Sequence, residues 1–169
     1  MRMSSGSADA ETPLDGGGRT KVWRRGDVVL REGRPWSATV LAFLRHLEAH
    51  GFDGAPRVVG EGFDEQGRET ISFIEGEFVH PAPWREEAFH QIGARLRRLH
   101  DAGQSFRVPD NAVWRPCVLR GLGTAHAMFG HCDPAAWNIA ARDGLPVGLI
   151  DWETPGPVDP LIELAHCCW

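Results

Sequence analysis

Between residues 131 and 152 the chain reads His131-Cys132-Asp133-Pro134-Ala135-Ala136-Trp137-Asn138, then, further on, an apolar run Val147-Gly148-Leu149-Ile150 closed by Asp151 and Trp152. No other stretch restricts the fold as tightly. Written as a pattern it is H-x-D-x-x-x-x-N, an apolar segment, and an acid at the end of a strand-like run. Asp133 and Asn138 come from one loop, and Asp151 adds a second carboxylate. Carboxylate and amide oxygens are the ligands that hard divalent cations prefer. An isolated H-x-D recurs by chance; the composite with the second acid is far more specific.

Kinase-type phosphotransferases use this spacing to place one base and two metal ligands around a nucleotide. The chain resembles the aminoglycoside phosphotransferase family, the small-molecule branch of the kinase-like superfamily. That family's motif reads H-G-D-x-x-x-x-N followed by I-D-W or I-D-F. Here Cys132 stands at the usual glycine, and Ile150-Asp151-Trp152 is kept. Upstream, the similarity runs through Ala55-Pro56-Arg57-Val58-Val59-Gly60, Phe73-Ile74-Glu75-Gly76 and Leu96-Arg97-Arg98-Leu99-His100. The resemblance implies an α+β, protein-kinase-like two-lobe fold. It places a disordered terminus at residues 1–13, a small β-rich N-lobe at 14–76 and a helical C-lobe with the catalytic loop at 77–169. Asp133 is then the catalytic base, and Asn138 and Asp151 hold Mg²⁺. ATP or GTP is the co-substrate, and a small hydroxylated molecule is the acceptor.

The same resemblance suggests further nucleotide contacts. Gly17 and Gly18, in a triple glycine before the first hairpin, match the loop that covers phosphates. A bare Gly-Gly-Gly also reads as a linker. Arg31 closes the second strand, where the family has a lysine that contacts phosphates, and Glu48 on the following helix is its expected partner. Arg and Lys are not equivalent at a shaped site. The backbone at Glu75 matches the hinge that holds adenine. His131 matches a residue that braces the loop rather than acting as base. His126, His131, Cys132, His166, Cys167 and Cys168 fall late in the chain, but their spacing fits no zinc motif. Trp137 and Trp152 read as core packing.

Periodicity supplies the rest of the architecture. Residues 20–24 and 28–31 read as a hairpin turning at Arg25-Gly26-Asp27. Val40, Leu41, Phe43, Leu44 and Leu47 recur at helical spacing after Pro35 and Ser37, until Gly51 stops the helix. Strands are expected from Val58 and over residues 70–73. Helices are expected over 86–102, with Phe89, Ile92, Leu96 and Leu99 inward, and over 159–169.

A net charge of −5 with no basic block argues against nucleic acid, and no apolar run is long enough to span a membrane. Four cysteines without C-x-x-C spacing read as reduced thiols in a cytoplasmic protein. Family members continue well past I-D-W, whereas only eighteen residues follow Asp151 here. The C-lobe is therefore expected to be truncated, and its last helix to expose Leu161, Ile162 and Leu164, favouring a homo-oligomer. The alternative to a phosphotransferase is a non-catalytic kinase-like binding or toxin-immunity protein, or an inactive fragment. The Arg at position 31 and the short C-terminus favour that alternative; intact Asp133, Asn138 and Asp151 favour the enzyme.

Overall fold

A computed structural model of the chain describes residues 10–14, 20–122 and 128–168. Tertiary contacts divide it into two compact units, one made of residues 1–34 and 57–73, the other of 35–56 and 74–169. Both strands and helices are present, giving an α+β fold. Among the described residues, no helix is long and apolar enough to cross a membrane.

The first unit is a five-stranded antiparallel sheet in the order β1-β2-β3-β5-β4. Its strands are β1 (Thr12–Pro13), β2 (Val22–Arg25), β3 (Val28–Arg31), β4 (Val58–Phe63) and β5 (Glu69–Ser72). The β2–β3 hairpin turns at Gly26, whose φ of 58° is open to glycine at little cost. Leu30 and Ile71 are buried in this sheet. Arg31 lies opposite Glu69 in the β3–β5 register. Both side chains are buried, and Arg31 Nε donates to Glu69 Oε2 at 2.8 Å.

The second unit contains α1 (Ser37–Ala49), β6 (Glu77–Phe78), α2 (Glu86–Gly103), β7 (Met128–Gly130), β8 (Ile139–Arg142), β9 (Leu145–Leu149), β10 (Gly156–Val158) and α3 (Pro160–Cys167). In α1 the expected stripe is buried: Val40, Leu41, Phe43, Leu44 and Leu47. Each such side chain contributes about 1.5–3 kcal/mol relative to exposure. Helix α1 ends where Gly51, at φ 72°, lets Phe52 N–H return to Leu47 O at 2.9 Å. Phe43 packs against Phe106, with ring centroids 4.9 Å apart, and against Trp152 at 6.2 Å. Strands β6, β8 and β9 form a three-stranded sheet, and β7 pairs with β10 as an antiparallel ribbon.

Two apolar expectations fail. Phe89 on α2 is 60% exposed, because the helix turns Ala88, Leu96 and Leu99 inward instead. In α3 Leu161 and Leu164 are exposed as expected, at 73% and 43%, while Glu163 is fully buried. Asp159 caps this helix by accepting from Leu161 N–H, and the register that follows turns Glu163 toward buried hydrogen-bond donors. Trp152 is fully buried as expected, but Trp137 is 40% exposed. It sits on a single 3-10 turn (136–138), where its ring lies edge-on to His80 instead of entering the core.

Candidate functional site

The motif loop runs from the end of β7 to the start of β8, and the second acid follows β9. His131 is fully buried and joins these pieces. Its Nε2 donates to Ile150 O at 2.8 Å, and its Nδ1 accepts from Asp133 N–H at 3.2 Å. That pairing assigns the proton to Nε2. Burial holds the imidazole below the usual histidine range, against the pull of the Glu163, Asp133 and Asp151 carboxylates. A neutral ring that accepts a loop N–H is a brace, not a base. Ile150 is also gripped from its other side, since its N–H donates to Asn138 O at 2.9 Å. Both peptide groups of Ile150 are thus fixed to the H-x-D-x-x-x-x-N loop, and Asp151 is the next residue.

Asp133 carries a half-exposed carboxylate whose Oδ1 meets His166 Nε2 at 2.8 Å. Asn138 is nearly buried, and its Nδ2 donates to Asp133 O at 3.0 Å. This orients the amide: with Nδ2 engaged, Oδ1 faces away from the loop carbonyl as an oxygen donor. Asp151 is exposed and has φ 58°. Cys132, at the family's glycine position, has φ 62°. Left-handed backbone costs a non-glycine residue roughly 1–2 kcal/mol, and such positions concentrate where surrounding structure over-determines the chain. Two of the three left-handed non-glycine residues among those described belong to this motif.

Glu163 underlies the loop. Its Oε1 accepts from Cys132 N–H at 2.6 Å, and its Oε2 meets His100 Nε2 at 2.6 Å. Gly130 makes room for it, since a Cβ there would lie 2.4 Å from the carboxylate. One buried side chain therefore ties α2, the motif loop and α3 together. Neither Glu163 nor His166 was singled out from sequence for a role in the loop. The only signal was their spacing. Three residues apart on a helix that Asp159-Pro160 starts, they must share a face.

The other nucleotide-contact candidates belong to other segments of the chain. Gly17 and Gly18 lie outside the described residues. Arg31 is in the first unit and pairs with Glu69 of its own sheet. Glu48 is exposed on α1 in the second unit. Glu75 is exposed, and its carbonyl accepts from Arg142 Nη2 at 3.3 Å. Gly76 beside it is compelled: a Cβ would sit 2.6 Å from Ala141 O, where β6 pairs with β8. Among the described residues no three His, Cys, Asp or Glu side chains cluster in a metal-binding group. The Asn138 and Asp151 pair offers oxygen donors of the type Mg²⁺ takes, with nucleotide oxygens and water to complete the shell.

No family model matches the chain. It is 65% identical over 159 residues to the trifolitoxin immunity protein of Rhizobium leguminosarum bv. trifolii, covering 94% of this chain and 61% of that protein. Among solved structures, it is similar to the amicoumacin kinase hAmiN in complex with AMP-PNP, Ca²⁺ and Ami. The TM-score is 0.73 at 14% identity, with 92% of this chain and 62% of that one covered. It is also similar to a choline/ethanolamine kinase family protein from Mesorhizobium loti. There the TM-score is 0.59 at 22% identity, with 96% of this chain and 64% of that one covered. The chain spans 61–64% of the length of these three relatives. Its fold is that of the kinase-like small-molecule phosphotransferases, a group in which spectinomycin phosphotransferase APH(9)-Ia also appears, at TM-score 0.65.

Proposed function

We propose that this kinase-like chain binds Mg²⁺ with ATP or GTP and carries the catalytic loop of a cytoplasmic phosphotransferase that acts on a small hydroxylated acceptor. The observation that supports this most is the double grip on Ile150. His131 and Asn138 hold its carbonyl and its N–H, which fixes Asp151 relative to Asp133 and Asn138. A loop kept only for packing has no need to fix three oxygen-bearing side chains at once. The cation, when bound, would neutralise phosphate charge as the phosphoryl group transfers. Asn138 Oδ1 and the Asp151 carboxylate would hold it.

Asp133 then acts as general base. His166 occupies Oδ1 and orients the carboxylate, which leaves Oδ2 to accept the proton of the acceptor hydroxyl as that oxygen attacks the γ-phosphate. Positioned acid–base catalysis contributes about 10²–10⁴-fold. A thermal-shift titration tests the binding half: Mg-nucleotide should raise the melting temperature by linkage, and Asp151→Ala should abolish the rise. No rise at millimolar Mg-ATP and Mg-GTP would refute nucleotide binding.

A second reading has one specific support, the relative named as a toxin immunity protein. Immunity by phosphorylating a hydroxyl of the toxin requires Asp133; immunity by binding the toxin does not. Protection measured in cells carrying Asp133→Asn separates the two. The burial of Arg31 against Glu69, at the position where the family keeps a phosphate-contacting lysine, favours the binding mode.

A further inference from the structure

Two cysteines meet immediately before the candidate base. Cys117 is half-buried at the start of a 3-10 turn (Val118–Gly121), and Cys132 is 2% exposed in the motif loop. Cys117 Sγ lies 3.7 Å from Cys132 O, and Cys132 Sγ lies 3.6 Å from Gly156 O. Cys117 also packs against the apolar cluster that Cys132 forms with Met128 and Val158. The surroundings of the two sulfurs differ. Cys117 is brought down to about 6 by a hydrogen bond from the Cys132 thiol, with further help from the backbone N–H groups of Leu119 and Arg120 and from the Arg120 guanidinium. The Cys132 thiol is pushed up by that same hydrogen bond and by burial. One sulfur is partly accessible and shifted toward the thiolate; the other is buried and shifted toward the thiol. That is the division between an attacking and a resolving thiol.

We propose that Cys117 and Cys132 are an oxidation-sensitive pair that hydrogen peroxide converts to a reversible disulfide, pinning the backbone that leads into Asp133. The Cys117 thiolate attacks one peroxide oxygen and the O–O bond breaks. Cys117 becomes a sulfenic acid, and hydroxide leaves to be protonated to water. Cys132 then passes its proton to the departing hydroxyl as its sulfur bonds to Cys117, releasing a second water. Two thiols are oxidised and one peroxide is reduced to two waters. Cys117 Sγ already lies 3.7 Å from the Cys132 carbonyl oxygen, and a disulfide would bring the two sulfurs to about 2.0 Å of each other. The bond would tie the 3-10 turn to a loop residue already held at φ 62°. Cys168 is the exposed cysteine and serves as an internal control, because simple accessibility would oxidise it first.

The test is peptide mapping of the folded, fully reduced chain after hydrogen peroxide, with free thiols blocked before digestion. The expected product is a cross-linked peptide pair containing Cys117 and Cys132, two hydrogens lighter than the thiol forms and restored by dithiothreitol. In Cys132→Ser the resolving sulfur is gone, so dimedone should label Cys117. In Cys117→Ser neither product should form. If Cys132→Ser does not fold, the wild-type map still decides. Oxidation confined to Cys167 and Cys168, with Cys117 and Cys132 recovered as thiols, would overturn the proposal. So would intermolecular disulfides without the 117–132 pair.

Discussion

Glu69 and Glu163 are each buried to within 1% of full coverage, one in each unit, and they are held in opposite ways. Glu69 meets the Arg31 guanidinium directly across two antiparallel strands. Glu163 meets a backbone N–H 31 residues before it and an imidazole 63 residues before it, on different elements. The first arrangement reinforces a sheet that its own register already specifies. The second fixes a loop that has no ladder to hold it, and that loop carries Asp133. Buried carboxylates are therefore not one class here: one stiffens a scaffold, the other sets the geometry of a site.

Breaking the sheet pair should have the largest effect. Arg31→Met leaves Glu69 buried without its cation, and removing one partner of a buried pair costs about 3–5 kcal/mol. The double change Arg31→Met with Glu69→Leu should recover most of that loss, since well-packed apolar replacements are often neutral or better. Urea unfolding of the single and double variants reads this directly. The double variant also sharpens the assignment of Arg31. If it is stable and still shows the Mg-nucleotide thermal shift, Arg31 is scaffold; if it is stable and loses the shift, Arg31 contacts phosphate. A single variant as stable as wild type would mean the pair is not buried in solution.

Breaking the loop tie should cost less but reach further. Glu163→Gln keeps the shape and sets an amide NH₂ against one of two donors, Cys132 N–H or His100 Nε2. Leaving one buried polar group unsatisfied costs about 1–3 kcal/mol. The loss should be local as well as global: amide hydrogen exchange at Cys132 should accelerate while exchange in β3 and β5 stays unchanged. Unaltered protection at Cys132 would show that Glu163 does not hold the loop.

The two regions also differ in how far the sequence discloses them. The β2–β3 hairpin, the stripe of α1 and the start of α3 follow local rules: a turn glycine, a 3.6-residue period and an Asp-Pro cap. Asp133, Asn138 and Asp151 are conspicuous by spacing alone. What holds them is not. The β7–β10 ribbon and the β6–β8 pairing join short segments far apart in the chain, with no alternation long enough to read. Glu163 and His166 sit among Leu161, Ile162 and Leu164, and although those apolar residues are expected to lie exposed, nothing local marks a carboxylate as the inner side of α3. Tertiary demand sets it: a loop N–H and an imidazole need a carboxylate. Phe89 and Trp137 fail for the same reason, since a large apolar side chain carries no information about whether a partner surface exists on its side.

The smallest effect separates the regions by pH. The group that carries a pH dependence into the motif loop is His131. Its folded-state pKa is depressed from 6.5, with burial as the largest cause. Below that value the unfolded chain takes up a proton that the buried ring refuses, so the unfolded state binds more protons and stability rises with pH. The contribution is fully present above about pH 6.5 and is lost as the pH falls toward the folded-state value, at up to about 1.4 kcal/mol per pH unit. Protonating Nδ1 would also remove the acceptor for Asp133 N–H, so the loss is felt first at the motif loop. Urea unfolding of wild type and His131→Asn, compared from about pH 7.5 down to about pH 5.5, isolates this residue from the other titrating groups. The wild-type curve should fall more steeply than that of the variant. Parallel curves would mean that His131 is not held neutral, and that the loop is braced by something other than its imidazole.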